Sequence, residues 1–155
     1  MIIEADEDAG AAARVAEGFA AAGIGAHRVA LPDTQASKSF QTAEYLADAL
    51  ADHAIHRGDP VIAVGGEAIC DIAGFVAATF NRGMRLCLVP TTLAAQADSA
   101  VGGKNAINLA LGRTWWAPST SRRRDQRHRG GLRERRAWMQ VGPGRNRQAR
   151  PHQPV

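Results

Sequence analysis

Aromatic side chains are scarce in this 155-residue chain, at 5% of residues, whereas 45% are hydrophobic. A core so poor in rings and rich in alanine, glycine and valine suits helices packed closely on a parallel sheet. Cysteine is nearly absent too. Cys70 and Cys87 lie in apolar segments without metal-ligand spacing, so they read as reduced core thiols and offer no zinc site. Long apolar runs are missing: residues 61–64 and 72–79 are too short to span a bilayer, and the first residues lack the basic start and apolar run of a signal peptide. One ordinary domain, cytoplasmic and without a membrane partner, is the expectation.

Lysine is absent from the last third, and charge is unevenly spread. Residues 1–112 carry 7 basic side chains against 13 acidic, a net of −6; residues 113–155 carry 12 arginines against 2 acids, a net of +10. The overall +4 therefore belongs to the tail alone. A basic tail of this kind ordinarily suggests a nucleic-acid adaptor. The tail is better explained another way, given below, and nucleic acid is not the expected partner.

What is present alternates regularly. Residues 8–22 place Val15 and Phe19 four apart in an alanine-rich run, an amphipathic helix ended by Gly23 and Gly25. A β-prone strand over 27–31 closes at Pro32-Asp33, and residues 39–56 set Ala43, Leu46, Ala47 and Leu50 at helical spacing before Gly58-Asp59-Pro60. An apolar strand over 61–64 ends at Gly65-Gly66. A helix over 68–80 follows, with Asp71 in its first turn, where the positive end of the dipole accepts an acid. Residues 85–89 form another apolar strand. Strands alternating with helices imply right-handed βαβ units, an α/β Rossmann-like parallel sheet with flanking helices that binds ligands at the carboxyl ends of its strands.

Those ends carry the chemistry. Gly65-Gly66, between a strand and a helix, lets backbone N–H groups approach a phosphate. Residues 89–108, VPTTLAAQADSAVGGKNAIN, gather two hydroxyls, a carboxylate and a lysine in a glycine-rich loop. Thr91 and Thr92 follow the strand directly; Asp98 comes six residues later, and Lys104 six beyond that, after Gly102-Gly103.

In order and spacing these motifs resemble 3-dehydroquinate synthase, a family of sugar phosphate cyclases, over roughly residues 10–112. Residues 33–38 are similar to that family's DGExxK loop, matching at Asp33 and Lys38, with Gln35 in place of the acid. Residues 65–71 resemble its GGGxxGD turn, matching at Gly65, Gly66 and Asp71, with Glu67 replacing a glycine and bringing a negative charge towards a pyrophosphate. The resemblance implies NAD as cofactor, bound by Asp33, Gln35, Lys38, Gly65, Gly66, Glu67 and Asp71 and by Thr91, Thr92, Asp98, Lys104 and Arg113. It implies catalytic roles for Asp98 and Lys104, and a phosphorylated sugar-acid substrate held by Arg82, Lys104 and Asn108, the arginine as a permanent fork-shaped cation. The family reaction converts 3-deoxy-D-arabino-heptulosonate 7-phosphate to 3-dehydroquinate with release of phosphate, a lyase step of the shikimate pathway to aromatic amino acids. A homodimer is implied as well. The family's zinc or cobalt is held by one Glu and two His in a helical C-terminal domain, and neither that domain nor its ligands is expected in this chain, which reads as truncated and inactive alone. His27, His53 and His56 read as ordinary surface or core residues. Iron-dependent alcohol and glycerol dehydrogenases continue a similar PTT loop as GTGSE; here ADSAVGGK favours the cyclases, with valiolone- and inosose-forming members as alternatives.

The tail after Gly112 keeps no hydrophobic period. Thr114-Trp115-Trp116-Ala117 must be encoded ACN TGG TGG GCN, and a shifted frame from Gly112 can spell KNLVGAFHQP, similar to the family's continuation. A different offset over residues 145–149 can spell EIVK, similar to its metal-binding helix. Residues 113–155 are therefore expected to be an out-of-frame, disordered product, following a partial NAD-binding domain at 1–112.

Overall fold

The computed structural model describes residues 1–101 and 103–109 in full and, for residues 112–116 and 124–126, the backbone. Its elements run β1 (Ile2–Ala5), α1 (Ala9–Ala21), β2 (Arg28–Leu31), α2 (Phe40–Asp52), β3 (Pro60–Gly65), α3 (Glu67–Thr79), β4 (Arg85–Pro90), β5 (Ile107–Leu109), β6 (Gly112–Trp116) and β7 (Arg124–Gln126). The sheet order is β2-β1-β3-β4-β7, every neighbouring pair parallel, while β5 and β6 form a separate antiparallel pair. The parallel, helix-flanked sheet is the architecture that the strand and helix alternation predicts.

The pleat explains which residues face which layer. Ile2, Ile62 and Val64 turn one way and pack with Ala12 and the half-buried Val15 and Phe19 of α1. Ile3, Val61, Ala63, Leu86 and Leu88 turn the other way, against Leu46 and Leu50 of α2 and Ile69, Ile72 and Val76 of α3. Order 2-1-3-4 makes the chain reverse direction between β1 and β3, so a crevice opens at their carboxyl ends.

Three findings differ from the sequence reading. β1, not foreseen, is the central strand between β2 and β3. Glu4 interrupts its apolar run, and the Arg28 guanidinium makes that burial tolerable by donating from Nε at 2.9 Å and Nη2 at 2.7 Å. The second helix starts as expected, where Ser39 Oγ accepts the Thr42 N–H at 3.1 Å, but ends at Asp52 because Ala54 enters the left-handed region at φ 49°. The stretch after Gly112, expected to be disordered, supplies β6 and β7. Backbone pairing with β5 and with the open edge at β4 needs no hydrophobic period. The rest of residues 113–155 lies outside the described residues. Among the described residues, no helix is long and apolar enough to cross a membrane.

Candidate functional site

The cleft is built where β2, β3 and β4 end. Asp33, two residues past β2, accepts the Gly66 N–H on Oδ2 at 2.6 Å, which ties the β2 turn to the start of α3. A Cβ on Gly66 would fall on that carboxylate and lie 3.1 Å from Thr92 Cγ2. Gly65 is equally constrained, since its Cβ would meet Ile69 Cβ at 2.8 Å. Both glycines are therefore required by close approach, as a phosphate-binding turn requires. The first N–H groups of α3 have no intrahelical partner, and the start of this helix carries the positive end of its dipole.

Lys38 lies beneath the turn and is 4% exposed. Its Nζ sits 2.6 Å from Asp71 Oδ2 and 3.4 Å from Glu67 Oε1. Burial pushes the Asp71 carboxyl above the ordinary range; Lys38 pulls it back, and Glu67 and Asp98 add like-charge repulsion. Asp71 was expected in the first turn of α3. The helix begins at Glu67, so Asp71 lies in the second turn and faces Lys38, while Glu67 is the acid at the dipole's positive end. Glu67 thus shares Lys38 with Asp71.

Thr91 donates through Oγ1 to Asp8 Oδ2 at 2.6 Å, and its N–H bonds Gly65 O at 3.0 Å. Thr92 Oγ1 accepts the N–H of Ala95, the first residue of the π-helical turn Ala95–Ser99, at 3.2 Å. Asp98 is exposed on that turn, within electrostatic reach of Asp71. Lys104 is exposed after Gly103, whose φ of 72° suits glycine.

Two expected residues stand elsewhere. Asn108, expected in the Lys104 loop network, instead clamps residues 35–38: its Nδ2 donates to Gln35 O at 2.9 Å and its N–H to Lys38 O at 2.7 Å. The structure does not bring Arg82 to the cleft. It precedes β4, at the amino edge of the sheet, and that six-residue strand separates it from Pro90 by about 20 Å. The Arg113 side chain lies outside the described residues.

Two participants escaped the sequence reading. Asp8, at the start of α1, carries no motif signal, because its partner Thr91 is 83 residues away. Asn105, 1% exposed, packs its amide where a Cβ on Gly74 would stand. A polar residue after a Gly-Gly-Lys run pointed to it only weakly. Among the described residues, no three His, Cys, Asp or Glu side chains group to hold a metal ion.

Comparisons with known proteins agree with this fold. The family model described as 3-dehydroquinate synthase N-terminal matches residues 28–117. A 3-dehydroquinate synthase of Nocardia farcinica is 46% identical over 99 residues, 64% of this chain and 26% of that protein. One of Bordetella pertussis is 46% identical over 101 residues, 65% of this chain and 28% of that protein. Among solved structures, a 2-deoxy-scyllo-inosose synthase complexed with carbaglucose-6-phosphate, NAD+ and Co2+ superposes with a TM-score of 0.71 at 25% identity, covering 81% of this chain and 35% of that one. The chain spans about a quarter of the length of the curated relatives it matches.

Proposed function

This chain belongs to the 3-dehydroquinate synthase family, and we propose that it forms the NAD-binding part of an enzyme that converts 3-deoxy-D-arabino-heptulosonate 7-phosphate to 3-dehydroquinate and phosphate. The Asp33–Gly66–Thr92 cradle carries the reading. The missing Cβ at Gly66 makes room for the Asp33 carboxylate and Thr92, and the tight turn sets the start of α3 at the carboxyl end of β3, where the positive end of the dipole suits a dinucleotide pyrophosphate. Bound NAD supplies the hydride acceptor and donor for transient oxidation of a ring carbinol. The chain's own residues would position it: the exposed Thr92 and half-buried Thr91 border the cleft, and Asn108 fixes the 35–38 loop.

Asp98 and Lys104 are both exposed, the carboxylate able to accept from ring hydroxyls and the ammonium able to neutralise a substrate carboxylate. Arg82, at the other end of β4, has no part in this chain's cleft on this reading. A metal step is not assigned, because the described residues offer no ligand group. We propose further that the 155-residue chain by itself binds cofactor without closing the ring. The 46% identity to synthases, against 25% to the inosose cyclase, favours the dehydroquinate substrate over the other cyclase substrates.

Isothermal titration with NAD+ tests the reading: saturable heat from the parent chain, abolished in Gly66→Ala, is expected, and a parent without heat refutes it. Ring closure by the purified chain would refute its inactivity. A frame break at Gly112 is proposed as the origin of the arginine-rich tail. Genomic DNA across that codon decides this, since a shifted frame that does not continue as a synthase removes it.

A further inference from the structure

Glu67 is the first residue of α3, with its side chain 49% exposed, so it brings a negative charge to the turn where the helix dipole is positive. Its Oε1 stands 3.4 Å from Lys38 Nζ, and Lys38 already serves Asp71 at 2.6 Å. The cation nearest the turn is thereby shared between two carboxylates. Asp33 holds the Gly66 N–H, one of the donors that a phosphate oxygen would otherwise use. The ionised group of Asp33, Lys38, Glu67 and Asp71 carries one positive and three negative charges at a turn whose backbone is shaped for anions.

We propose that Glu67 is a specificity-determining residue that sets the charge this cleft accepts, lowering its affinity for pyrophosphate-bearing ligands by standing in for the anion at α3 and drawing on Lys38. The inference rests on the reading of the cleft as the NAD site. Like charges in a partly desolvated cleft repel, and the half-exposed carboxylate can be screened, so the effect is moderate rather than prohibitive. Removing the charge frees both the helix N-terminus and part of the Lys38 field. The beneficiary is the diphosphate, whereas an uncharged nucleoside gains nothing.

Isothermal titration of the full chain and its Glu67→Gln and Glu67→Gly variants with NAD+, ADP and adenosine tests it. Glutamine keeps the size and helix propensity of the side chain, and glycine removes it. Both variants are expected to bind NAD+ and ADP about tenfold more tightly than the parent at low salt, with the gain shrinking at about 1 M salt and adenosine unchanged. Unchanged or weaker NAD+ binding in Glu67→Gln, beside a parent that does bind NAD+, overturns the role of Glu67 and leaves the NAD reading standing. An equal gain for adenosine also overturns it, since that is a change of shape, not of charge. If neither parent nor variants bind NAD+ or ADP, the NAD reading fails and this inference falls with it.

Discussion

The helices α1 and α3 cover opposite faces of one sheet and are each 13 residues long, yet α1 buries only Ala12 while α3 buries ten residues in succession, from Ala68 to Ala77. Each face also holds an ion pair. Under α1, Arg28 forks onto Glu4, with the arginine side chain 35% exposed; at α3, Lys38 meets Asp71 with side-chain exposures of 4% and 10%. The arginine pair fixes a strand-to-strand geometry, and its cation reaches solvent while its carboxylate, 5% exposed, does not. In the lysine pair the cation too is buried, and it lies where the cleft opens. Burial of the cation therefore separates a pair that props up the fold from one that couples fold to site.

Removing Lys38 should break that contrast most visibly. Lys38→Met leaves Asp71 facing Glu67 and Asp98 with no cation, and loss of one partner from a buried pair costs about 3–5 kcal/mol. Arg28→Met strands the Glu4 carboxylate, whose side chain is 5% exposed, and should cost about as much. Urea unfolding of both variants measures the two losses, and a distinctly smaller loss in Arg28→Met would show that water reaches Glu4 once the fork is gone.

Glycine-to-alanine changes sharpen the same contrast with opposite signs. Gly74→Ala in α3 drives a methyl into the Asn105 amide and should destabilise by about 1–3 kcal/mol. Gly18→Ala in α1 meets nothing within 4 Å and should stabilise by about 0.5–1 kcal/mol through better helix propensity. A destabilised Gly18→Ala would mean that α1 packs more tightly than its exposure indicates.

The α3 face was the more legible of the two in the sequence, because glycine pairs, a helix start and a strand run lie close together there and signal one another locally. The α1 face depended on distant partners. Glu4 made β1 look unlike a central strand, and the arginine that satisfies it stands 24 residues on. Arg82 shows the converse limit: its place between two cleft motifs in the chain suggested proximity, whereas a parallel strand puts the turn before it at the far edge from the turn after it. Ala54 ended α2 early without any glycine to announce it.

Acidity offers a third handle on the α3 face. Burial holds the Asp71 carboxyl above the ordinary 3.8 of an aspartate, so the folded state binds that proton more tightly than the unfolded chain. Its stabilising contribution is complete below pH 3.8 and is lost as pH rises through the folded value. Asp71→Asn removes this slope and leaves Lys38 its contact with Glu67. Unfolding free energies compared from about pH 3 to 7 should show the parent losing stability relative to the variant above pH 3.8, and a parent that gains instead would mean that Lys38 outweighs burial.

The smallest expected effect lies where the two faces meet. Thr91 Oγ1 to Asp8 Oδ2 is the bond through which the start of α1 touches the cleft, and Thr91→Val deletes the donor while keeping the branched shape. Asp8 is half-buried and can recover water, so the loss should be about 0.5–1.5 kcal/mol, well below that of Lys38→Met. If α1 only props up the cleft, NAD+ affinity in this variant should fall no further than stability does. A larger fall in affinity at nearly unchanged stability would make Asp8 and Thr91 part of the binding surface, and the thinly covered face would then contribute to function through that one bond.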